Sequence, residues 1–257
     1  MTDVQRAIYV YGIVAASDRT ELESTGVGRE QPRVRRIAEA GIAALVSDFS
    51  NGALAAARDL RAHWGVLEEA AARTTVLPVR FGTVMESEAA VANELLGPNA
   101  ERLAGVLAEL DGKVQLSLKG FYDEEALLRE VVRERPEIAR MRERVQGLPE
   151  AASYYDRIQL GELVAAEIDR RRASDAELVL RRLEPLAVAA RAEAPTTNDA
   201  ALNTAFLVRR DGVDAFSHAV EQLAGELDGR IRIRYVGPLP PYNFADDDGS
   251  LVSSAWA

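Results

Sequence analysis

The sequence contains no cysteine and only two histidines among its 257 residues. Without cysteine the chain can form neither disulfides nor thiolate sites, which is consistent with a reducing compartment. No apolar run approaches the roughly 20 residues that a membrane-spanning helix needs, and the first residues lack the layout of a signal peptide. We therefore expect a protein that is made and kept in the cytoplasm and that has no membrane partner.

The chain also lacks an excess of basic charge, because its 31 Lys and Arg are outnumbered by 41 Asp and Glu, which gives a net charge of −10. This balance disfavours nonspecific attraction to nucleic acid. Three consecutive arginines at residues 170–172 are a local exception. Successive helical positions lie about 100° apart and acidic residues surround these three, so we interpret them as a solvated helix face. No nucleic-acid partner is expected.

Catalytic and cofactor motifs are missing too. The chain has no glycine-rich phosphate loop, no Cys/His metal pattern, no GxSxG elbow and no HExxH helix. The acidic cluster at residues 246–248 lacks the Gly and the distal Glu of a calcium loop, so a solvated tail is expected there. His63 is far in sequence from His218 and has no nucleophile motif beside it, so we interpret it as a packing residue next to Trp64. We predict no enzyme, no metal and no cofactor.

The composition that remains is typical of a globular protein, with 47% hydrophobic and 28% charged residues, and the length favours two domains. Residues 8–15 are apolar on both faces, which predicts a central strand covered on both sides. Residues 33–38 and 42–47 predict a hairpin that turns at Gly41. The first part of the chain therefore begins with a sheet.

Residues 53–74 predict an amphipathic helix that packs on this sheet. The apolar stripe of this helix consists of Leu60, Trp64, Leu67 and Ala71. Residues 76–84 predict a further strand, which Gly82 breaks. The lone charge in this strand is Arg80. We favour an Arg80 that pairs with a carboxylate or a helix end, and the alternative is a contact with an anion or a partner.

Helices and strands alternate in the second half. The predicted elements are helices at 86–96 and 99–110 separated by Gly97-Pro98, a strand at 113–122, and helices at 124–134 (capped by Asp123) and 136–146. Residues 154–194 form the longest helical pattern, which Pro185 should kink or end. The apolar stripe of this pattern consists of Tyr154, Ile158, Gly161, Ala165 and Ile168.

A strand at 202–209, a helix at 213–227 and a strand at 230–236 predict a βαβ unit. Combined with the strand and helix at 113–134, this unit favours a ferredoxin-like domain that is interrupted by long helices. The predicted class is therefore α+β.

The last strand leads into a proline-rich segment, residues 237–244, GPLPPYNF. Ile231, Ile233 and Tyr235 alternate with arginines, so one face of the strand is packed and the other is solvated. Prolines cannot continue the ladder, so we expect the strand to end at Gly237. The rest of the segment should be an extended, polyproline-like peg that carries Tyr242 and Phe244.

The proline-rich segment resembles the C-terminal signature of the gas vesicle protein L/F family (GvpL/GvpF). Two more segments match in the same order and at similar spacing, namely YVYGIV at residues 9–14 and VLPVRFGTV at 76–84. The form common in the family has Ser and Trp where this chain has Val236 and Leu239. The resemblance extends from the first strand almost to the C-terminus.

The resemblance implies an N-terminal α+β domain (residues 1–84), a modified ferredoxin-like domain (85–242) with a helical insertion at about 136–194, and a C-terminal tail (243–257). It also implies an accessory or minor structural protein that is needed to form the gas vesicle and that serves buoyancy. The implied partners are the major shell protein and other accessory proteins of the gas vesicle. Candidate partner-binding or structural residues are Arg80, Phe81, Gly82, Gly237, Pro238, Leu239, Pro240, Pro241, Tyr242 and Phe244.

Several alternatives remain at this point. Leu239, Tyr242, Phe244 and the strand edges could bind an apolar partner, the edges by β-augmentation, or Tyr242 and Phe244 could clamp the segment onto its own domain. Two other functions are a ligand-binding or catalytic ferredoxin-like domain and a general assembly chaperone. A deep pocket with converging polar groups would favour the ligand-binding function, and a flat apolar patch would favour assembly.

Overall fold

The computed structural model describes residues 6–18, 21–50, 56–149, 152–194, 197 and 199–245. The chain divides into two compact units. The described residues up to Gln115 and those from Pro238 onward form the first unit, and Leu116–Gly237 form the second. Residues 85–115 and 238–242, which we expected in the second domain, thus lie in the first unit. The predicted acidic tail at 246–248 lies outside the described residues.

The first unit contains a five-stranded sheet with β1 at its centre. The strands are β1 (Arg6–Ala15), β2 (Arg35–Glu39), β3 (Ile42–Ser50), β4 (Leu77–Pro78) and β5 (Val84–Met85). Their order is β2-β3-β1-β4, and β5 also pairs with β1. The predicted central strand and hairpin are confirmed, since β2 and β3 pair antiparallel through Glu39 and Ile42. Ala40 and Gly41 both have positive φ (48° and 86°), as a two-residue hairpin turn requires.

The predicted strand at residues 76–84 is wrong. The chain forms two two-residue strands, β4 and β5, joined by a turn. Gly82 has a φ of 92° in this turn, and both the amide and the hydroxyl of Thr83 donate hydrogen bonds to the Arg80 carbonyl (3.2 and 2.8 Å). The positive φ is incompatible with a continuous strand, so the turn interrupts the segment, and the two short strands on either side of it both pair antiparallel with β1.

The helices of the first unit are α1 (Ala56–Arg73), the short α2 (Glu88–Ala90) and α3 (Ala100–Leu110). A π-helical turn (Val91–Leu96) and a 3₁₀ turn (Gly97–Asn99) join α2 to α3. The predicted break at Gly97-Pro98 is therefore wrong, because the π-helical turn and the 3₁₀ turn keep the chain helical from α2 to α3. The α3 helix buries Leu103, Leu107 and Leu110 and contacts β1 and β3, which explains why it belongs to the first unit.

The second unit follows the order β-α-β-β-α-β. Its elements are β6 (Lys113–Tyr122), α4 (Glu124–Glu134), α5 (Pro136–Gln146), α6 (Tyr154–Leu183), β7 (Ala189–Ala192), β8 (Ala200–Arg209), α7 (Val213–Glu226) and β9 (Ile231–Leu239). The strands are ordered β7-β8-β6-β9. This order of elements is ferredoxin-like, with α5 and α6 as additions, and it agrees with the predicted fold class. Strand β7 was missed, because residues 189–192 had been included in the long helical pattern.

Helix α6 runs without interruption through the three arginines and ends just before Pro185, as predicted. The solvated-face interpretation is wrong for Arg171, which is only 5% exposed. Its guanidinium forms ion pairs with Glu130 (2.6 Å), Glu134 (2.8 Å) and Glu167 (3.0 Å). These pairs join α6 to α4 inside the second unit.

A second arginine, Arg230, extends this buried network. Arg230 pairs with Glu130 (2.7 Å) and with Asp175 (2.8 Å), and the Tyr122 hydroxyl donates to Asp175 (2.6 Å). The network thus connects β6, α4, α6 and the start of β9. None of the described helices, α6 included, is both long enough and apolar enough to span a membrane.

Candidate functional site

The three segments that carry the family resemblance meet in the first unit. Tyr9 and Tyr11 on β1 belong to its hydrophobic core, and Phe81 and Tyr242 pack against the same core. Sequence positions more than 230 residues apart therefore contribute to one aromatic cluster. The candidate site is this cluster together with the proline-rich segment that closes it.

A hydrogen-bond chain holds the turn at residues 79–83 against the cluster. The Gly82 amide donates to the Tyr9 hydroxyl (2.9 Å), which in turn lies 3.1 Å from His63 Nδ1. A hydroxyl accepts up to two hydrogen bonds and donates one, so the Tyr9 hydroxyl can hold the Gly82 amide and the His63 ring at the same time. His63 also hydrogen-bonds the backbone of Val79. The imidazole thus hydrogen-bonds both Tyr9 and the backbone of Val79.

His63 is a packing residue, as predicted. It is 1% exposed, stacks on Tyr11 (5.7 Å between ring centres) and meets the edge of Phe81 (5.6 Å). Burial lowers its pKa to about 4, so the ring stays uncharged near neutral pH. The rings that surround it are those of Tyr9, Tyr11 and Phe81.

The YVYGIV segment has a glycine, Gly12, at a position where no larger side chain fits. A β-carbon at this position would lie 2.8 Å from the Leu77 carbonyl oxygen and 2.9 Å from side-chain atoms of Leu67 and Val76. Only glycine lets β1 approach both β4 and α1 this closely. The segment is thus required for packing of the first unit.

The proline-rich segment folds back on the first unit instead of extending as a polyproline peg. Strand β9 continues to Leu239, so the predicted strand end at Gly237 is wrong. Two tight turns follow, in which the Tyr242 amide donates to the Pro240 carbonyl (2.8 Å) and the Phe244 amide to the Pro241 carbonyl (3.0 Å). Pro240, Pro241 and Phe244 are buried.

Two contacts hold this segment in place. The Tyr242 ring lies 4.7 Å from the Trp64 ring on α1. Asn243 and Gln115 form a reciprocal pair, in which the Asn243 amide donates to Gln115 Oε1 (2.9 Å) and Gln115 Nε2 donates to Asn243 Oδ1 (2.7 Å). The internal-clamp alternative for Tyr242 and Phe244 fits this geometry.

Trp64, Gln115 and Asn243 were missed as site residues from the sequence. The sequence did contain a signal for Gln115, which is a polar residue between the apolar Val114 and Leu116 of a strand. All three residues are buried in the structure. A buried amide needs a partner, and Asn243 provides it.

The Tyr242 hydroxyl is buried and, among the described residues, has no hydrogen-bond partner. Burial raises the pKa of this phenol well above its ordinary value, so it stays protonated. A buried hydroxyl without a partner costs about 1–3 kcal/mol. The ring of Tyr242 therefore stabilises the segment, whereas its hydroxyl does not.

Other candidate residues remain accessible. Arg80 and Gly82 are exposed in the turn and Phe81 is half-buried between them, whereas Gly237 and Pro238 are exposed and Leu239 is half-buried. Of the two pairings that we favoured for Arg80, the one with a carboxylate is not seen among the described residues. An unpaired exposed cation is free to meet a partner.

Features that would suit a small ligand or a metal are limited. A cavity of about 400 Å³ in the first unit is lined by residues that include Gly28, Arg58 and Asp59. Arg58 (3.0 Å) and the Gly28 amide (3.2 Å) already bond the buried Asp59 carboxylate. Within the described part of the chain, no three His, Cys, Asp or Glu side chains are grouped to hold a metal ion.

Comparisons with known proteins give a consistent result. The family model described as "Gas vesicle synthesis protein GvpL/GvpF" matches residues 7–246. A gas vesicle protein F from Streptomyces sp. (strain CB03234) is 36% identical over 239 residues, covering 93% of this chain and 99% of the relative. Another gas vesicle protein F, from Nostoc sp. (strain PCC 7120 / SAG 25.82 / UTEX 2576), is 33% identical over 75% of this chain and 79% of its own.

Solved structures agree with the sequence comparisons. The crystal structure of the gas vesicle protein GvpF from Anabaena sp. PCC7120 superposes with a TM-score of 0.81 at 30% identity, covering 94% of this chain and 98% of that one. The GvpF structure from Microcystis aeruginosa gives a TM-score of 0.76 at 28% identity, covering 93% and 99%. The similarity therefore includes both units.

Proposed function

Because the chain belongs to the gas vesicle synthesis protein GvpL/GvpF family, we propose that it is an accessory or minor structural protein of the gas vesicle. In this role it binds the major shell protein and other accessory proteins while the vesicle forms. The family match over residues 7–246 is the observation that carries the proposal. The family is one of gas vesicle proteins and not a known enzyme family, so a binding role fits better than catalysis.

The proposed location follows from the same membership. The protein acts at the gas vesicle, in the cytoplasm, and its work serves buoyancy. A cytoplasmic accessory protein has to meet an apolar, assembly-prone shell protein through a surface that is accessible before assembly. That requirement directs attention to the exposed members of the three matching segments.

The turn at Arg80, Phe81 and Gly82 is the proposed partner contact. It combines an exposed cation, a half-buried aromatic ring and an exposed backbone, and the hydrogen bonds from Gly82 and Thr83 fix its shape. Preformed turns of this kind bind with little loss of conformational freedom. The buried residues of the proline-rich segment have the structural role of closing the first unit.

Strand β9 is a second proposed contact, for a partner that adds a strand. It lies at an edge of its sheet, and its end carries exposed Val236, Gly237 and Pro238. An edge strand offers unpaired backbone groups to a partner strand, although Pro238 supplies no donor. The cavity described above lies in the first unit and therefore does not support a ligand-binding ferredoxin-like domain. A general chaperone differs from the proposed role only in the identity of its partner.

The test is co-purification of the major shell protein with the wild type and with Arg80→Ala. The matched control is Arg36→Ala, because Arg36 is also an exposed arginine of the first unit but lies outside the matching segments. We expect Arg80→Ala to retain less shell protein than Arg36→Ala, with both variants folded as judged by thermal unfolding. Equal retention by the two variants would exclude the turn as a contact, and no retention by the wild type would exclude direct binding.

A further inference from the structure

The first turns of α6 carry the first four residues of the apolar stripe outside the hydrophobic core of the described structure, whereas the fifth, Ile168, packs against that core. Tyr154 is 60% exposed and Ile158 is 45% exposed, and Gly161 and Ala165 on the same stripe are exposed as well. A β-carbon at Gly161 would meet nothing within 4 Å. Exposed apolar stripes on folded proteins mark interaction surfaces.

This stripe lies on the same helix face that packs into the core further along α6. Three of its residues precede three core-facing residues by 18 positions each, which equals five helical turns. The corresponding pairs are Ile158 and Ala176, Gly161 and Val179, and Ala165 and Leu183. Val179 and Leu183 are buried, so the sequence continues a core-type face beyond the core that covers it.

The stripe has the spacing and the surroundings of a helix–helix seam. Its residues follow each other at intervals of four, three and four, as in the seam of a coiled coil. None of them is charged, and the charged Arg157 and Glu162 lie on either side. An uncharged centre with a polar rim is the usual composition of a protein interface.

We propose that a second copy of this chain covers the stripe, with the two α6 helices antiparallel around a two-fold axis between Gln159 and Leu160. In this arrangement Tyr154 faces Ala165 of the other copy and Ile158 faces its Gly161. Each large side chain then meets a small one, so the two helices can approach closely and leave no gap. A parallel pair would instead place the tyrosines against each other and the glycines against each other.

The resulting dimer should be weak and concentration-dependent. The stripe covers 12 residues, which corresponds to a contact only about 18 Å long. Stable interfaces usually bury at least about 1,200 Å², and a contact of this length supplies only part of that area. The proposal concerns the purified chain alone and does not depend on any gas vesicle partner.

Sedimentation equilibrium over a concentration series tests the proposal. We expect the average mass of the wild type to rise from 28.0 kDa towards twice that value, and Ile158→Asp to remain at 28.0 kDa throughout. The matched control is Leu163→Asp, which changes a similarly exposed residue of α6 (37%) about 140° away from Ile158 around the helix. A monomeric wild type, or a dimer that Ile158→Asp leaves intact, would overturn the proposal.

Cross-linking tests the orientation, since the chain has no cysteine of its own. Ile158→Cys and Gly161→Cys are prepared separately with different tags, then mixed and oxidised. We expect a disulfide between the two different variants to form at least ten times faster than one between identical chains. Faster self-linking of Ile158→Cys would indicate parallel helices and would rule out the antiparallel dimer.

Discussion

Replacing Tyr242 separates the contribution of its ring from that of its hydroxyl. The ring packs on Trp64 and on the core of the first unit, whereas the hydroxyl is buried without a partner among the described residues. Truncation of a fully buried aromatic residue costs about 3–5 kcal/mol, and Tyr242 is half-buried, so Tyr242→Ala should cost about 2 kcal/mol. Tyr242→Phe keeps the ring and removes the unsatisfied hydroxyl, so it should gain about 1 kcal/mol.

The two variants should therefore move the unfolding transition in opposite directions. For a protein of this size, about 1 kcal/mol corresponds to roughly 2–4 °C in Tm. The assay is urea and thermal unfolding followed by tryptophan fluorescence. The chain contains two tryptophans, Trp64 and Trp256, so a Trp256→Phe background leaves Trp64, beside the replaced ring, as the only reporter.

The result that would refute this reasoning is a loss of stability in Tyr242→Phe comparable to that in Tyr242→Ala. The hydroxyl would then make a favourable interaction in the folded protein. Co-purification adds a second readout. A Tyr242→Phe variant that is stable but no longer retains the shell protein would assign the hydroxyl to partner binding, whereas full retention would support a purely internal clamp.

Three further predictions follow from the geometry. The pKa of His63 is about 4 in the folded protein, below its ordinary 6.5, so the unfolded chain takes up the proton first as the pH falls. The free energy of unfolding should therefore decrease between about pH 6.5 and 4, by about 3 kcal/mol in total. Urea midpoints measured across this range should show the decrease in the wild type and a smaller one in His63→Asn. Gly12→Ala should cost about 1–3 kcal/mol in urea unfolding, whereas Gly65→Ala, where a β-carbon meets nothing within 4 Å, should be neutral or stabilising; equal effects would contradict the close approach at β1. Arg171→Ala removes a buried guanidinium from three carboxylates that each keep another arginine partner, so it should cost about 1.5–3 kcal/mol, against less than about 0.5 kcal/mol for Arg181→Ala, whose ion pair is exposed. Similar thermal shifts in the two variants would show that the buried network contributes little.

Local signals predicted much of the fold. Alternation located β6 and β9 and the helical period located α7, each to within a few residues, and Asp123 caps α4 through the Ala126 amide (2.8 Å) as its residue type suggested. These features depend on neighbours in sequence, so they can be inferred from sequence alone.

The errors depended on tertiary contacts. Strand β7 has the sequence AARA, whose alanines favour a helix, and pairing with β8 overrides that preference. On α1, Leu60 is exposed while Asp59 and His63 are buried, because hydrogen bonds from distant residues satisfy both polar side chains. Arg171 looked solvated for the same reason, since its carboxylate partners on α4 lie far away in sequence.

The candidate site could be predicted only in part from the sequence. The resemblance located the three segments, but no local pattern indicated that Tyr9, Phe81 and Tyr242 share one core. The Gln115–Asn243 pair joins residues 128 positions apart, so neither side chain signals its partner. A stripe on α6 was visible in the sequence, but its periodicity could not show that the first half of it is uncovered.

The return of the chain to the first unit has a consequence for biosynthesis. Synthesis proceeds from the N-terminus, so the 122 residues Leu116–Gly237 are made before the residues that supply Tyr242 and Asn243. The second unit can therefore complete its core before Tyr242 and Asn243, the partners of Trp64 and Gln115, have been synthesised. The unit that begins first is the one that finishes last, and a nascent chain stopped at Gly237 would have a finished ferredoxin-like unit attached to an unfinished one.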